Sequence, residues 1–162
     1  MSHTLKDLVN RSFDANTERP ALRTLQGARG NLRYEPTTYG ELKLQRDCLA
    51  AGLSGTGLSR GQRVGILTDR PMEPLLLFLA CDLLGLSAVP LCAKSSAQML
   101  THYIVHSAME VLVVDVRTFP QVEGVLSTMQ SPPRLIVIEG DGGDGCIPWA
   151  QLIAAGGFPP EV

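Results

Sequence analysis

Four apolar runs recur along the chain: "RVGILT" at residues 63–68, "SAVPLC" at 87–92, "EVLVVD" at 110–115 and "RLIVIE" at 134–139. They are near-continuous rather than alternating, so each predicts a strand covered on both faces. Between them lie segments with helical character. Residues 71–85 are apolar on almost every side, which predicts a helix buried on most of its surface. Ser95 and Gln98 have capping-box spacing, and Met99, Leu100, Tyr103 and Ile104 follow as a buried helix face. Val122, Val125, Leu126 and Met129 repeat at i, i+3, i+4 and i+7. Strands and helices that alternate in this way predict an α/β fold with a doubly wound, mainly parallel sheet, helices on both faces and right-handed crossovers. Pro90 places the second run near an edge or an end, because proline cannot donate to a sheet ladder.

The flanks read differently. Leu5, Leu8, Val9 and Phe13 predict a helix over 5–14, and "ALRTLQ" (21–26) and "NLRYEP" (31–36) predict a small hairpin joined by "GARG" at 27–30. Thr38 and Glu41 form a second capping-box pair. The helix they open carries Leu42, Leu49 and Leu53 on one stripe, with Lys43, Gln45, Arg46 and Asp47 mostly elsewhere, and it stops in a glycine-containing stretch at 54–63. "GDGGDG" at 140–145 reads as a surface loop. A last short helix at 147–157 starts at Pro148 and turns Trp149, Leu152 and Ile153 inward. The expected organisation is one unit over 1–162. It divides into a helix and hairpin (1–38), an alternating core (39–138) and a loop with a short helix (139–162).

Composition excludes some functions. The net charge of −2 offers no basic face for nucleic acid. The longest apolar run, residues 75–81, falls far short of the roughly 20 residues a membrane span needs. The first 20 residues lack a basic start followed by an apolar core, so no signal peptide is expected and the expected compartment is the cytoplasm. Cys48, Cys81, Cys92 and Cys146 form no CxxC pair and are expected to be reduced; Cys81 and Cys92 lie in apolar segments, where a thiol acts as a small hydrophobe.

Ligands of an open parallel sheet bind at the carboxyl ends of its strands, so each strand exit is a place to look for chemistry. "RVGILT" is followed by "DRPMEP", with no glycine, and Pro71 and Pro74 remove amides that a phosphate would use. "GTGLSRG" precedes a strand, whereas a phosphate loop follows one, and there is no Walker motif. No GxSxG elbow is present. His102 and His106 stand four apart, a spacing that can bind metal, but no glutamate sits beside His102 and no third ligand is visible, so a helix face is the expected reading. Arg70, Lys94 and His102 are the candidates for contact with an anion or ligand, with ordinary solvated side chains as the competing reading. No residue is assigned a catalytic, cofactor-binding or metal-binding role.

"TTYGEL" at 37–42 and "LLGLSAVPLC" at 83–92, with the stretches around them, resemble the N-terminal part of the adenylate-forming superfamily, which includes acyl-CoA synthetases, aryl-CoA ligases, luciferases and peptide-synthetase adenylation domains. "TTYGEL" resembles its Thr/Ser-Tyr-x-Glu-Leu core motif, and "LLGLSAVPLC" its Leu-x-x-Gly-x-x-x-Val-Pro-Leu motif. The stretch between, 57–85, resembles a third family pattern, with Gln62 where Asp is usual and Asp69 or Arg70 where Asn is usual. "LVNRSFDANTERPAL" resembles the family's start, and "LCAKSS" replaces the usual "LNP" or "LDP".

The resemblance implies a full-length ligase that activates a carboxylic acid, expected to be a fatty acid, with ATP and Mg²⁺ to an acyl-adenylate. It then passes the acyl group to a thiol, either coenzyme A or a carrier protein. It also implies that the family's phosphate loop, its acidic ribose contact and its catalytic lysine lie beyond these residues. The chain alone is therefore expected to be an inactive, partial N-terminal subdomain that binds no cofactor itself. Its expected partner is the remainder of the enzyme, or a second copy through uncovered apolar surface. Tyr39 then reads as a packing residue and Pro90 as a strand-end stop. A non-catalytic scaffold or interaction domain of the same fold is the alternative, and a small dinucleotide binder is disfavoured by the missing glycines.

Overall fold

Val111, Leu112, Val113 and Val114 are each 0% exposed, and this fully dry strand is the centre of the structure. The structure is a computed structural model and describes residues 4–26, 33–140 and 142–157. In chain order the elements are α1 (Leu5–Ala15), β1 (Pro20–Gln26), β2 (Arg33–Thr38), α2 (Tyr39–Gly55), β3 (Arg63–Leu67), α3 (Met72–Leu84) and β4 (Ser87–Pro90). They continue with α4 (Ala97–Ser107), β5 (Val111–Val114), α5 (Phe119–Leu126), β6 (Arg134–Val137), β7 (Ile147–Pro148) and α6 (Trp149–Ala155).

β1 and β2 form the expected antiparallel hairpin; its turn at 27–30 lies outside the described residues. The main sheet has the order β4-β3-β5-β6-β7, with every neighbour parallel. Side chains alternate across a strand, and β5 divides accordingly. Val111 and Val113 join Leu49, Leu53 and Leu77 from α2 and α3. Leu112 and Val114 join Leu100 and Ile104 of α4 and Val122 of α5. The sheet is thus covered on both faces, as a doubly wound fold requires.

β4 is an edge strand, and Pro90 is its last residue. The amides of Ser87 and Leu91 donate inward to the carbonyls of Gln62 and Ile66, so by the two-residue period the nitrogens of Ala88 and Pro90 face the open side.

Local details both follow and depart from the sequence reading. At α2 the capping box is complete. The Thr38 amide donates to Glu41 Oε2 at 2.7 Å, and the Glu41 amide donates to Thr38 Oγ1 at 3.2 Å. At α4 the cap is Ser96, not Ser95. Its hydroxyl accepts from the Met99 amide, while the Ser95 amide closes a turn onto Cys92. α4 points Leu100 and Ile104 at the sheet, which leaves Met99 (46%) and Tyr103 (36%) exposed on its flank. α3 buries Leu76, Leu77, Ala80 and Cys81 against α2 and the sheet, with α1 touching it as well, but leaves Phe78 exposed. Cys92 is exposed rather than buried, since it lies past the end of β4. Cys81 is buried, and desolvation pushes its thiol up to about 12. None of the four thiols is in a disulfide.

Arg46 also departs from its expected place off the buried stripe. It is 3% exposed, lies 4.8 Å over the Phe13 ring, donates to Asn10 Oδ1 and pairs with Asp47. Phe13 also meets the Tyr39 ring edge-on at 5.9 Å, which fixes α1 to the start of α2. Pro148 caps α6 rather than starting it, because residues 147–148 first pair with β6 as an edge strand. α6 packs on α2 at very close range. A Cβ on Gly52 would lie 2.3 Å from the Leu152 carbonyl oxygen, and one on Gly156 would lie 2.4 Å from Cys48 Cα. No described helix is long and apolar enough to cross a membrane.

Candidate functional site

The carboxyl ends of β3, β5 and β6 open into a cavity of about 310 Å³, lined by Asp69, Arg70, Pro71, Asp115, Arg117 and Glu139. It adjoins a groove of about 790 Å³ between the hairpin and α3 and α6, with Arg70, Pro71 and Glu139 on both walls. This is where an open α/β sheet holds ligands. What it can hold depends on which polar groups remain available.

The centre of the site is Asp115, at the exit of β5 and only 2% exposed. Its Oδ1 accepts from the amides of Arg117 (2.8 Å) and Thr118 (2.9 Å). Its Oδ2 accepts from the Thr68 hydroxyl (2.5 Å) and the Asp69 amide (3.3 Å). Thr118, 1% exposed, donates from its hydroxyl to the Leu67 carbonyl at 2.7 Å and accepts from the Asp115 amide at 3.1 Å. Burial by itself would raise the Asp115 carboxyl. The hydrogen bonds from Thr68, Thr118 and Arg117 together outweigh it and hold the group below the usual carboxylate range. The network joins the exits of two neighbouring strands.

Arg70 sits in the turn after β3. Its Nε lies 2.6 Å from Glu73 Oε1, and its Nη1 meets Glu139 Oε1 at the exit of β6. Burial opposes its charge, but Glu73 and Glu139 more than compensate and raise its pKa. Arg70 therefore spans from one strand exit to another with a carboxylate on each side. Lys94 and His102 line neither cavity. Lys94 is exposed in the turn after β4, and His102 is exposed on α4. Of the three sequence candidates, only Arg70 reaches the strand-exit site.

The main-chain donors at the site are largely committed. The Asp69 and Arg117 amides donate to Asp115, the Arg70 amide donates to Thr68 Oγ1 at 3.1 Å, and Pro71 has no N–H. Four carboxylates (Asp69, Glu73, Asp115 and Glu139) and two arginines (Arg70 and Arg117) line the cavity and its adjoining groove, and Arg70 is paired with Glu73 and Glu139. A triphosphate needs free amides and positive charge. The paired Arg70 and the committed amides do not fit it. Asp115 and Thr118 were not among the sequence candidates. Their signal was an Asp ending an apolar strand with Thr three residues later, the spacing at which side chains close turns.

The family described as AMP-binding enzyme matches residues 9–154. Among individual relatives, a protein named chalcone synthase cfoA from Aspergillus candidus is 33% identical over 111 residues, covering 64% of this chain and 4% of that protein. Long chain acyl-CoA synthetase 8 of Arabidopsis thaliana is 26% identical over 112 residues, covering 68% of this chain and 15% of its own length. Among solved structures, the A-PCP didomain of carboxylic acid reductase from Segniliparus rugosus, in complex with AMP, superposes with a TM-score of 0.81 at 19% identity. That match covers 100% of this chain and 28% of the didomain.

Proposed function

Since the chain belongs to the AMP-binding enzyme family, we propose that it is the N-terminal supporting part of a ligase that activates a carboxylic acid with ATP and transfers the acyl group to a thiol. The observation that carries this reading is the spent strand-exit site. The fold offers the usual ligand position, yet the Asp69, Arg70 and Arg117 amides and the Arg70 guanidinium are already engaged by Asp115, Thr68, Glu73 and Glu139. The structure therefore supports a role in holding an active-site wall. In this reading ATP, Mg²⁺ and the thiol acceptor are held by parts of the ligase outside these residues. A fatty acid is the proposed substrate, a reading supported by the name of the acyl-CoA synthetase relative.

The test is acid-dependent ATP–pyrophosphate exchange with a panel of fatty and aromatic acids. The 162-residue chain alone is expected to give no exchange above background. Exchange by this chain with any acid of the panel would overturn the reading.

Leu5 (65%), Leu8 (50%), Leu25 (53%) and Tyr34 (69%) leave apolar surface on α1 and the hairpin. We assign that surface to contact with the rest of the ligase, because the chain spans only a small share of its relatives' length. By itself the chain is expected to self-associate over it, with sedimentation that shifts as concentration rises. A monomer at every concentration, with no binding of an apolar dye, would oppose the assignment.

A further inference from the structure

The exposed flank of α4 carries Met99, His102, Tyr103 and His106 as one stripe at i, i+3, i+4 and i+7. The two imidazoles stack with ring centres 5.5 Å apart and planes 11° from parallel, and both are exposed. Tyr103 lies beside them, its ring centre 6.0 Å from that of His102. Neither histidine lines the strand-exit cavity or the adjoining groove, so the wall reading leaves the pair unused.

Imidazole nitrogen binds zinc and its neighbours at about 2.0–2.1 Å, so two rings on one ion place their centres roughly 4.5–5.3 Å apart. The observed separation exceeds that range only slightly, but the near-parallel stack does not aim both nitrogens at one point, so chelation requires a change of χ1 and χ2 in at least one histidine, which the exposed position of both rings allows. The helix backbone fixes both ring attachments one turn apart, so little is lost in bringing the second ligand to an ion already held by the first.

The geometry points to His102 and His106 as a two-nitrogen chelate for a borderline divalent transition ion of the zinc, nickel or copper type. Water fills the remaining positions, since among the described residues no third acidic, cysteine or histidine side chain completes a cluster. Nitrogen-only protein ligation selects against magnesium and calcium, which require oxygen. The open positions leave the bound ion accessible to a donor atom from another molecule.

Calorimetric titration of the full chain with Zn²⁺ and with Mg²⁺ tests the site, alongside His102→Ala, His106→Ala and the double variant. Both histidines are exposed, so the metal-free thermal midpoints of the variants are expected to match the parent. Zinc is expected to bind the parent with one-to-one stoichiometry and magnesium not at all. Either single substitution is expected to lower zinc affinity at least tenfold, and the double variant hardly further, because one imidazole alone is not a chelate. In NMR titration the ring signals of His102 and His106 are expected to shift together with a common midpoint. Zinc affinity unchanged by both single substitutions, or lost instead in Cys92→Ser, would overturn the assignment.

Discussion

Gly52→Val is expected to lower the stability of the folded chain by at least about 3 kcal/mol, the upper part of the range for an overpacked interior. The reason is what a side chain would meet. A Cβ at Gly52 lies 2.3 Å from the carbonyl oxygen of Leu152 and 2.7 Å from its carbon and Cα. These are backbone atoms of α6, and no rotamer change relieves the contact. The helices would have to separate, and Leu152 (4% exposed) and Trp149 (8%) would lose their packing on Leu49 and Leu53.

Intrinsic helix propensity pulls the other way, because replacing glycine with alanine inside a helix gains about 1 kcal/mol. Gly124, inside α5, separates the two effects, since a Cβ there meets nothing within 4 Å. Gly124→Ala is expected to raise the urea midpoint slightly, while Gly52→Ala lowers it and Gly52→Val lowers it most. Equal shifts for the two alanine variants would mean that the α2–α6 approach is looser than described.

Asp115→Ala is expected to cost about 3 kcal/mol, comparable to losing hydrogen bonds to a buried charged acceptor. The substitution strands the Thr118 amide, whose residue is 1% exposed, and frees the turns at Thr68 and Arg117 that the carboxylate closes. The effect also has a definite pH signature. The folded group titrates below its unfolded value, which is about 3.9 for an aspartate. Its contribution is therefore fully present above about pH 4 and is lost as pH falls through the folded pKa. Asp115→Asn keeps the shape and removes the charge. The gap in urea midpoint between parent and Asp115→Asn is expected to be constant from pH 7 to pH 5 and to shrink below about pH 4. A gap that stayed constant down to pH 3 would assign the stabilisation to shape alone.

Much of the fold was legible because its signals are local. Apolar runs broken by helical periodicity specify a covered parallel sheet, and Thr38 and Glu41 sit within one turn of each other. Pro90 alone pointed to an edge or a strand end, and β4 is an edge strand that ends at Pro90. Misreadings arose where one residue of register or a distant partner decides the outcome. Starting α4 at Ala97 turns Leu100 and Ile104 inward and exposes Met99 and Tyr103, although all four fit an apolar stripe. The two residues of β7 carry no periodicity, and their strand character comes only from pairing with Ile136 and Val137. The same holds at the candidate site. Arg70 was visible as a charge at a strand exit, but Glu139, which engages it, is 69 residues away in sequence. Asp115 looked like the polar end of a strand, and its four donors come from two separate turns.

The outer rim of β4 has a consequence for how the molecule meets its own kind. A free strand border normally displays a row of unpaired N–H groups on which another chain can nucleate a ladder and start to aggregate. Here the ring of Pro90 occupies one of the two outward nitrogens of β4 and leaves Ala88 as the other donor. A single hydrogen is too little to template a foreign strand. Growth of the sheet sideways is therefore expected to be weak at that rim, and a partner would be expected to meet side-chain surfaces instead.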